Sequence, residues 1–333
     1  MSNASSIESE IDLDRPGKQL GYLRLPHSVH RSAYGWIPIP IASICGGAGP
    51  TVLLMAGNHG DEYEGQVVLS TLIRTLAPED VNGQLIILPM ANFPAAAAGL
   101  RTSPLDEGNL NRLFPGNPRG TPSAMIAHYI ESQLVARVEL LVDLHSGGSS
   151  LLYQPTALAR WPGDRAGRET MRGLIEAFGL PNAVLYPADP EGPYSSSAAS
   201  RRGIAALTTE LGGGGTVDPA IRVLAEAGLR RALHRFGVLA AAPPPANLRP
   251  RLLEIGPQHH VYSYDAGLFE PLAAPGDTVA AGQPAALVHR PETPGLAPVE
   301  IAFEAGGIVL ARRVPARVVR GDCLFQLGGP VEA

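Results

Sequence analysis

Residues 51–76 read TVLLMAGNHGDEYEGQVVLSTLIRTL and set the fold class of the chain. The first part, TVLLMAG (51–57), is a short apolar run ending in glycine, which is the pattern of a strand buried on both faces. The second part, EYEGQVVLSTLIRTL (62–76), has apolar residues at helical spacing. A buried strand followed directly by a helix is the repeating unit of an α/β sheet.

The same alternation continues along the chain. Further strands are predicted at QLIILPMAN (84–92), VELLVDLH (138–145), NAVLYP (182–187) and GIAALTTEL (203–211). Helices are predicted over 123–138, with Thr121 or Ser123 as the cap, over 168–179, and over 218–239. Strands that alternate with helices favour an α/β fold with a mostly parallel sheet, flanked by helices on both faces.

The C-terminal part of the chain has a different pattern. AAAPPPANLRP (240–250) is a linker by composition. We therefore predict a catalytic domain over 1–240, with an extended N-terminal segment 1–50, and an all-β lid domain over 251–333. The run GDTVAAGQ (276–283) resembles the barrel-sandwich hammerhead of biotinyl and lipoyl carriers, but the matching hairpin, FEAGGIV (303–309), has no lysine for a carrier group.

Bulk composition excludes several functions. The net charge is −5 and there is no basic stripe, so nucleic acid is not an expected partner. No apolar run approaches the ~20 residues that span a bilayer, so a membrane is not an expected partner either. The N-terminus is polar and acidic, unlike a signal peptide. The two cysteines are far apart in sequence, which favours reduced thiols over a disulfide. We therefore expect a cytoplasmic location.

Two motifs follow predicted strands and carry metal-binding side chains. AGNHGDEYEG (56–65) contains His59 and Glu62 on the turn into a helix, and VDLHSGG (142–148) places His145 at the end of another strand. Two imidazoles and a carboxylate suit Zn²⁺ and leave a position open for water. Asp143 is a candidate to orient a ligand. The alternative is a solvated turn in the first motif and a loop-facing carboxylate at Asp143.

A third motif, ALTTELGGGG (206–215), places Glu210 at the end of an apolar strand before four glycines. A carboxylate there is costly unless it is used or paired. It suits a general base that takes a proton from an activated water and returns it to a leaving amine. The alternative is that Glu210 pairs with Arg201 or Arg202.

A fourth motif, RTSPLDEGNLNRLFPG (101–116), contains Arg101, Asn111 and Arg112 in a loop rich in proline and glycine. Arginine binds carboxylates through two parallel hydrogen bonds, and an amide adds orientation. An amino-acid substrate offers such a carboxylate. The alternative for any one of these arginines is simple solvation at the surface.

Taken in order, G-N-H-G-D-E-x-x-G, N-L-N-R-x-F-P-G, D-L-H and T-E-x-G resemble the succinylglutamate desuccinylase and aspartoacylase family, which belongs to the zinc carboxypeptidase superfamily. The resemblance covers roughly residues 50–215, and the β module afterwards is similar to the family's C-terminal domain. Within the family, the runs GNHGDEYEGQ, GNLNRLFPG and ELGGGG look most like a bacterial branch that removes the acetyl group from N-acetyl-L-2,4-diaminobutyrate in ectoine degradation.

The resemblance implies a role for each matching position. It implies zinc ligands at His59, Glu62 and His145, the catalytic glutamate at Glu210, and a carbonyl-polarising arginine at Arg101. It implies that Asn111 and Arg112 grip the substrate. A second carboxylate-binding arginine matches Arg201 or Arg202, although the register departs from that of aspartoacylase, and a C-terminal tyrosine matches Tyr262 or Tyr264.

The expected function is therefore hydrolysis of a small N-acyl amino acid by a subunit that holds one Zn²⁺ and is a possible homo-oligomer. Two alternatives remain. A zinc carboxypeptidase would act on peptides, which a C-terminal lid over the cleft would exclude. A non-catalytic metal-binding protein of the same fold would not need Glu210.

Overall fold

The computed structural model describes residues 5–331, so the ends of the two predicted domains, residues 1–4 and 332–333, lie outside the described residues. The described chain has six α-helices: α1 (Tyr63–Thr75), α2 (Phe93–Ala98), α3 (Pro122–Tyr129), α4 (Arg165–Phe178), α5 (Ser195–Arg201) and α6 (Pro219–Phe236). Helix α3 continues through a π-helical turn (Ile130–Leu134) and a 3-10 turn (Val135–Arg137), so the helical path covers nearly all of the predicted 123–138. None of the helices described is long and apolar enough to cross a membrane.

The strands of the first 240 residues are β1 (Glu8–Ser9), β2 (Gly17–Pro26), β3 (Trp36–Cys45), β4 (Thr51–Ala56), β5 (Gln84–Leu88), β6 (Leu140–His145), β7 (Leu151–Tyr153), β8 (Thr156–Arg160), β9 (Asn182–Tyr186) and β10 (Ala205–Glu210). The C-terminal strands are β11 (Arg251–Glu254), β12 (His260–Tyr262), β13 (Gly267–Pro271), β14 (Thr278–Val279), β15 (Pro284–His289), β16 (Val299–Ala302), β17 (Gly307–Arg313), β18 (Arg317–Val318) and β19 (Cys323–Pro330).

A large mixed sheet forms the centre of the molecule. Strands β5, β4, β6 and β10 lie side by side and are parallel, and β8, β9 and β11 form a second parallel group. The two groups meet where β8 runs antiparallel to β10, and β3 is antiparallel to β5 at the other end. The predicted α/β fold with a mostly parallel central sheet is confirmed, with an antiparallel edge formed by the N-terminal segment.

Alternate residues of the central strands point to opposite faces and bury two separate cores. Val52, Leu54 and Ala56 of β4 face a core shared with α1, α4 and α6. Leu53 and Met55 face the other core, to which α3 and α5 contribute. Each buried aliphatic side chain contributes about 1.5–3 kcal/mol. Because both faces are covered, these strands appear in the sequence as continuous apolar runs.

Four of the C-terminal strands build a second, antiparallel sheet in the order β16-β15-β13-β18. It shares a core with β14, β17 and β19 in which Phe269, Phe303 and Phe325 pack edge to face. The finer resemblance to a barrel-sandwich hammerhead is not confirmed by these pairings.

The predicted boundary at 240–250 carries no helix or strand. The main sheet nevertheless continues across it, because β11 pairs with β9 on one side and with β19 on the other. The division into two domains therefore stays a proposal. Strands β7 and β8 and helix α5 were not predicted, because they are short and lie in a region rich in polar residues.

Candidate metal and catalytic site

Three neighbouring parallel strands bring the predicted site residues to one edge of the sheet. His59 and Glu62 lie on the turn between β4 and α1, His145 is the last residue of β6, and Glu210 is the last residue of β10. In the strand register Glu210 lies opposite His145. The carboxyl ends of parallel strands are the usual ligand-binding edge of such sheets. Residues separated by about 150 positions in sequence thus meet in one place.

The carboxylate of Glu62 lies between the two imidazoles. Its Oε1 is 2.6 Å from His59 Nδ1 and its Oε2 is 2.8 Å from His145 Nδ1. One potential ligand atom from each of the three side chains lies within 4.8 Å of the others, and all three residues are buried. Burial raises the pKa of Glu62, but the charges and hydrogen bonds of His145 and His59 outweigh it and lower the pKa to about 2. The carboxylate is therefore ionised at neutral pH.

Each imidazole is also held through its second nitrogen by an oxygen. His145 Nε2 is 3.1 Å from Asp143 Oδ2, and His59 Nε2 is 3.1 Å from Asn109 Oδ1. Such contacts orient a histidine so that its other nitrogen faces a metal. Asp143 is fully buried and also accepts hydrogen bonds from Asn58 and the Ser195 hydroxyl, at 2.9 and 2.6 Å. Asn109 was not singled out from the sequence, although the N-L-N spacing pairs it with Asn111.

Glu210 lines the pocket beside this group and is partly buried. Its Oε2 is shielded from solvent and has no hydrogen-bond partner among residues 5–331. Desolvation and the negative charge of Glu62 raise the pKa of Glu210 well above its usual value, against the opposing effect of His145. A carboxyl group with a raised pKa and a free oxygen is suited to exchange protons with a substrate.

The alternative in which Glu210 pairs with Arg201 or Arg202 is contradicted by the structure. Arg201 donates to both carboxylate oxygens of Glu131, at 2.8 and 2.7 Å. Arg202 is exposed at the end of α5. Neither arginine lines the pocket. The expectation that one of them contacts the substrate is corrected accordingly, because α5 directs them away from the edge of the sheet.

The pocket has a volume of about 430 Å³. It is lined by the predicted residues His59, Glu62, Arg101, Asn111, Arg112, His145 and Glu210, together with Tyr153, Arg160, Tyr186, Tyr194 and Ser195, among others. The three predicted metal ligands, Glu210 and the three predicted residues of the 101–116 loop therefore line one cavity.

The loop over 101–116 supplies the polar wall of this pocket. Arg101 is half-exposed, and its NH1 lies 3.7 Å from Glu62 Oε1. The guanidinium of Arg112 lies 4.9 Å from the centre of the Tyr194 ring. Asn111 Nδ2 is 3.4 Å from His145 Nε2, and Asn111 Oδ1 accepts a hydrogen bond from the Ser195 backbone N–H at 2.8 Å. This wall carries two cations and adjoins the group formed by His59, Glu62 and His145.

Among the pocket residues that the sequence analysis missed, Arg160 and Tyr153 have defined side-chain partners. Arg160 of β8 stacks at 5.2 Å on the Tyr186 ring and lies 3.5 Å from Asp189. Tyr153 of β7 donates its hydroxyl hydrogen to Gln326 of β19 at 3.0 Å. Both lie on the short strands that no sequence pattern revealed. The expected tyrosines, Tyr262 and Tyr264, are instead exposed and do not line the pocket.

Comparisons with known proteins show the family of the chain. The family model described as the succinylglutamate desuccinylase/aspartoacylase catalytic domain matches residues 48–235. The N-alpha-acetyl-L-2,4-diaminobutyric acid deacetylase of Halomonas elongata is 40% identical over 332 residues, which cover 99% of this chain and 96% of that protein.

Solved structures give the same result. The product-bound structure of the ectoine utilization protein EutE (DoeB) from Ruegeria pomeroyi has a TM-score of 0.93 and 39% identity, covering 99% of this chain and 100% of that chain. A succinylglutamate desuccinylase/aspartoacylase from Rhodobacter sphaeroides has a TM-score of 0.93 and 37% identity, with the same coverage. The chain belongs to the succinylglutamate desuccinylase/aspartoacylase family.

Proposed function

We propose that the protein is a zinc-dependent deacylase that hydrolyses the amide bond of a small N-acyl amino acid. The observation that carries this proposal is the meeting of His59, Glu62, His145 and Glu210 in one cavity. Three of these side chains can hold a metal, and the fourth can transfer a proton. The relatives of the chain are named as enzymes that remove acyl groups, and this supports the proposed reaction.

The residues present fit a zinc ion. Two imidazole nitrogens and one ionised carboxylate, all buried and close together, form the donor set that zinc takes in catalytic sites. His59, Glu62 and His145 would hold the ion, with Asp143 and Asn109 orienting the two imidazoles. When bound, zinc supplies Lewis-acid activation of a water molecule and of the amide carbonyl.

The chain's own groups would perform the remaining steps. Glu210 would accept a proton from the attacking water and deliver it to the leaving amine, which its raised pKa and free Oε2 favour. Arg101 would stabilise the negative charge that develops on the carbonyl oxygen. Arg112 and Asn111 would hold the substrate carboxylate, since both line the cavity and offer N–H donors.

N-acetyl-L-2,4-diaminobutyrate is the proposed substrate, or a closely related compound. The support is the named activity of the Halomonas relative, which matches this chain over nearly its full length. The ectoine utilization protein of known structure supports the same assignment. The cytoplasmic location and a homo-oligomeric state, both expected from the sequence, stay predictions.

A substrate panel tests the proposal. Zinc-loaded protein is assayed with N-acetyl-L-2,4-diaminobutyrate, N-acetylaspartate, N-succinylglutamate and a dipeptide, before and after treatment with a chelator. We expect turnover of the first compound that is lost on chelation and returns with zinc. Preferential cleavage of the dipeptide would indicate a carboxypeptidase. Bound zinc without turnover of any compound would indicate a non-catalytic metal-binding protein.

A further inference from the structure

Glu64 is a buried acidic residue to which neither the family motifs nor the proposed chemistry assigns a role. It lies in the first turn of α1, two residues after the metal-binding Glu62, and its exposed fraction is 0%. It does not line the pocket. A carboxyl group so deeply placed is costly unless it has a specific partner.

Its partner is the glycine loop, residues 212–215, which follows Glu210. Glu64 Oε1 accepts a hydrogen bond from the buried backbone N–H of Gly213 at 3.0 Å. Gly213 is three residues after Glu210. Glu64 therefore joins the start of α1, which follows β4, to the loop that follows β10.

The glycine loop depends on such a contact for its conformation. Gly212, Gly213, Gly214 and Gly215 all have positive φ, between 70° and 121°. Glycine has the largest backbone freedom to lose, so external contacts must hold this loop in one conformation. Gly212 accepts hydrogen bonds from the backbone N–H groups of Gly147 and Tyr153, at 3.1 and 2.8 Å. Glu64 is the side chain that ties the loop to α1.

We propose that Glu64 is a positioning residue, which holds the glycine loop and thereby keeps Glu210 in register with the metal-binding turn. The expected effect of Glu64 on catalysis rests on the proposed function, whereas its expected effect on the conformation of the loop does not. Removing the acceptor leaves the Gly213 N–H buried without a partner, and this favours a loop that shifts away. Small displacements of a catalytic group reduce turnover strongly.

The test compares Glu64→Ala with Glu64→Gln, which keeps an acceptor oxygen. In zinc-loaded Glu64→Ala we expect kcat to fall by about ten- to hundredfold, with KM and zinc content little changed. Glu64→Gln should recover most of this loss. Glu64→Leu fills the space without an acceptor and replaces Glu64→Ala in the comparison if that variant does not fold.

Glu131→Ala is the matched control, because it removes a buried carboxylate that pairs with Arg201 outside the pocket. Hydrogen exchange of the backbone over 211–215, measured without substrate, should rise in Glu64→Ala and not in Glu131→Ala. Unchanged exchange, or a kcat no lower than that of the control, would overturn the proposal. If exchange is faster in Glu64→Ala but the wild-type protein hydrolyses no N-acyl amino acid, the role of Glu64 in the loop is supported and the proposed function is rejected.

Discussion

At the scale of the residue, Glu210 is distinguished from the other acidic groups of the site by its partners. Glu62 is held by two histidines and Asp143 by three hydrogen-bond donors, and both have lowered pKa values. Glu210 Oε2 and Asp143 Oδ1 both lack a hydrogen-bond partner among the described residues, but only Glu210 has a raised pKa. The first two carboxylates are therefore suited to hold positive charge, whereas Glu210 is suited to carry a proton.

Replacing Glu210 should separate catalysis from metal binding. In Glu210→Gln we expect kcat to fall by about two to four orders of magnitude. Zinc content should stay at the wild-type value, because the group formed by His59, Glu62 and His145 is unchanged. The measurements are steady-state kinetics and metal analysis of the same sample. Near-normal turnover by the zinc-loaded variant would reject the role assigned to Glu210.

At the scale of the element, the loop that carries Asn111 and Arg112 is anchored to the start of α3. Asp106 accepts hydrogen bonds from the Ser123 backbone N–H and hydroxyl, at 2.7 and 2.8 Å. Burial raises the pKa of Asp106, but the hydrogen bonds of Ser123, Ser103 and Thr121 outweigh it and the pKa is lowered. The loop is thus joined to a helix that packs in the core.

This anchor should give a pH-dependent contribution to stability. A lowered pKa in the folded state stabilises the protein above the unfolded pKa of about 3.9, and the contribution is lost as the pH falls through the folded value. Asp106→Asn should therefore reduce the free energy of unfolding at pH 7, and the difference from wild type should shrink below pH 4. Urea unfolding of metal-free wild type and Asp106→Asn at several pH values measures the difference in their free energies of unfolding. An equal difference at every pH would contradict this explanation.

The glycine loop after β10 gives a second prediction for an element. Gly213 has φ of +121°, and a Cβ there would lie 2.3 Å from the Leu151 carbonyl oxygen. Gly203 also has positive φ, but nothing lies within 4 Å of its Cβ position. Gly213→Ala should reduce the free energy of unfolding by about 1–3 kcal/mol more than Gly203→Ala. Similar losses in thermal or urea unfolding would show that backbone φ alone decides the effect.

At the scale of the whole molecule, two C-terminal strands hold a residue that lines the pocket. Strand β7 pairs with β17, and the Tyr153 hydroxyl donates to Gln326 of β19, whose Nε2 lies 3.0 Å from His260 Nε2. A side chain that lines the cavity is thus held by residues more than 100 positions later in the chain. Strands β17 and β19 therefore support the site as members of the main sheet.

Removing the Tyr153 hydroxyl should weaken this support. In Tyr153→Phe we expect kcat/KM for the N-acyl substrate to fall roughly two- to tenfold, with zinc content unchanged. Tyr264→Phe is the control, because it loses the same group from an exposed tyrosine that contacts Glu304 outside the pocket. Kinetics of the two variants side by side make the comparison. Equal values of kcat/KM would show that the contact between Tyr153 and Gln326 does not affect the site.

Much of the fold and of the candidate site was predictable from local sequence. Apolar strands ending in glycine or a polar residue revealed β4, β6 and β10, because burial on both faces leaves a continuous apolar run. The polar residue ending each strand revealed His145 and Glu210. Strands β7 and β8 were missed because three to five residues are too few to show a periodicity.

The sequence by itself therefore determined the α/β class, the family and the side chains that meet at the edge of the sheet. Their chemistry is carried by short motifs next to strong strands. Only the tertiary structure showed that Arg160 lines the pocket and that Arg201 does not, because α5 directs Arg201 to Glu131. It also decided the partners of Glu64 and Tyr153, since long-range contacts depend on how distant segments pack and leave no local pattern.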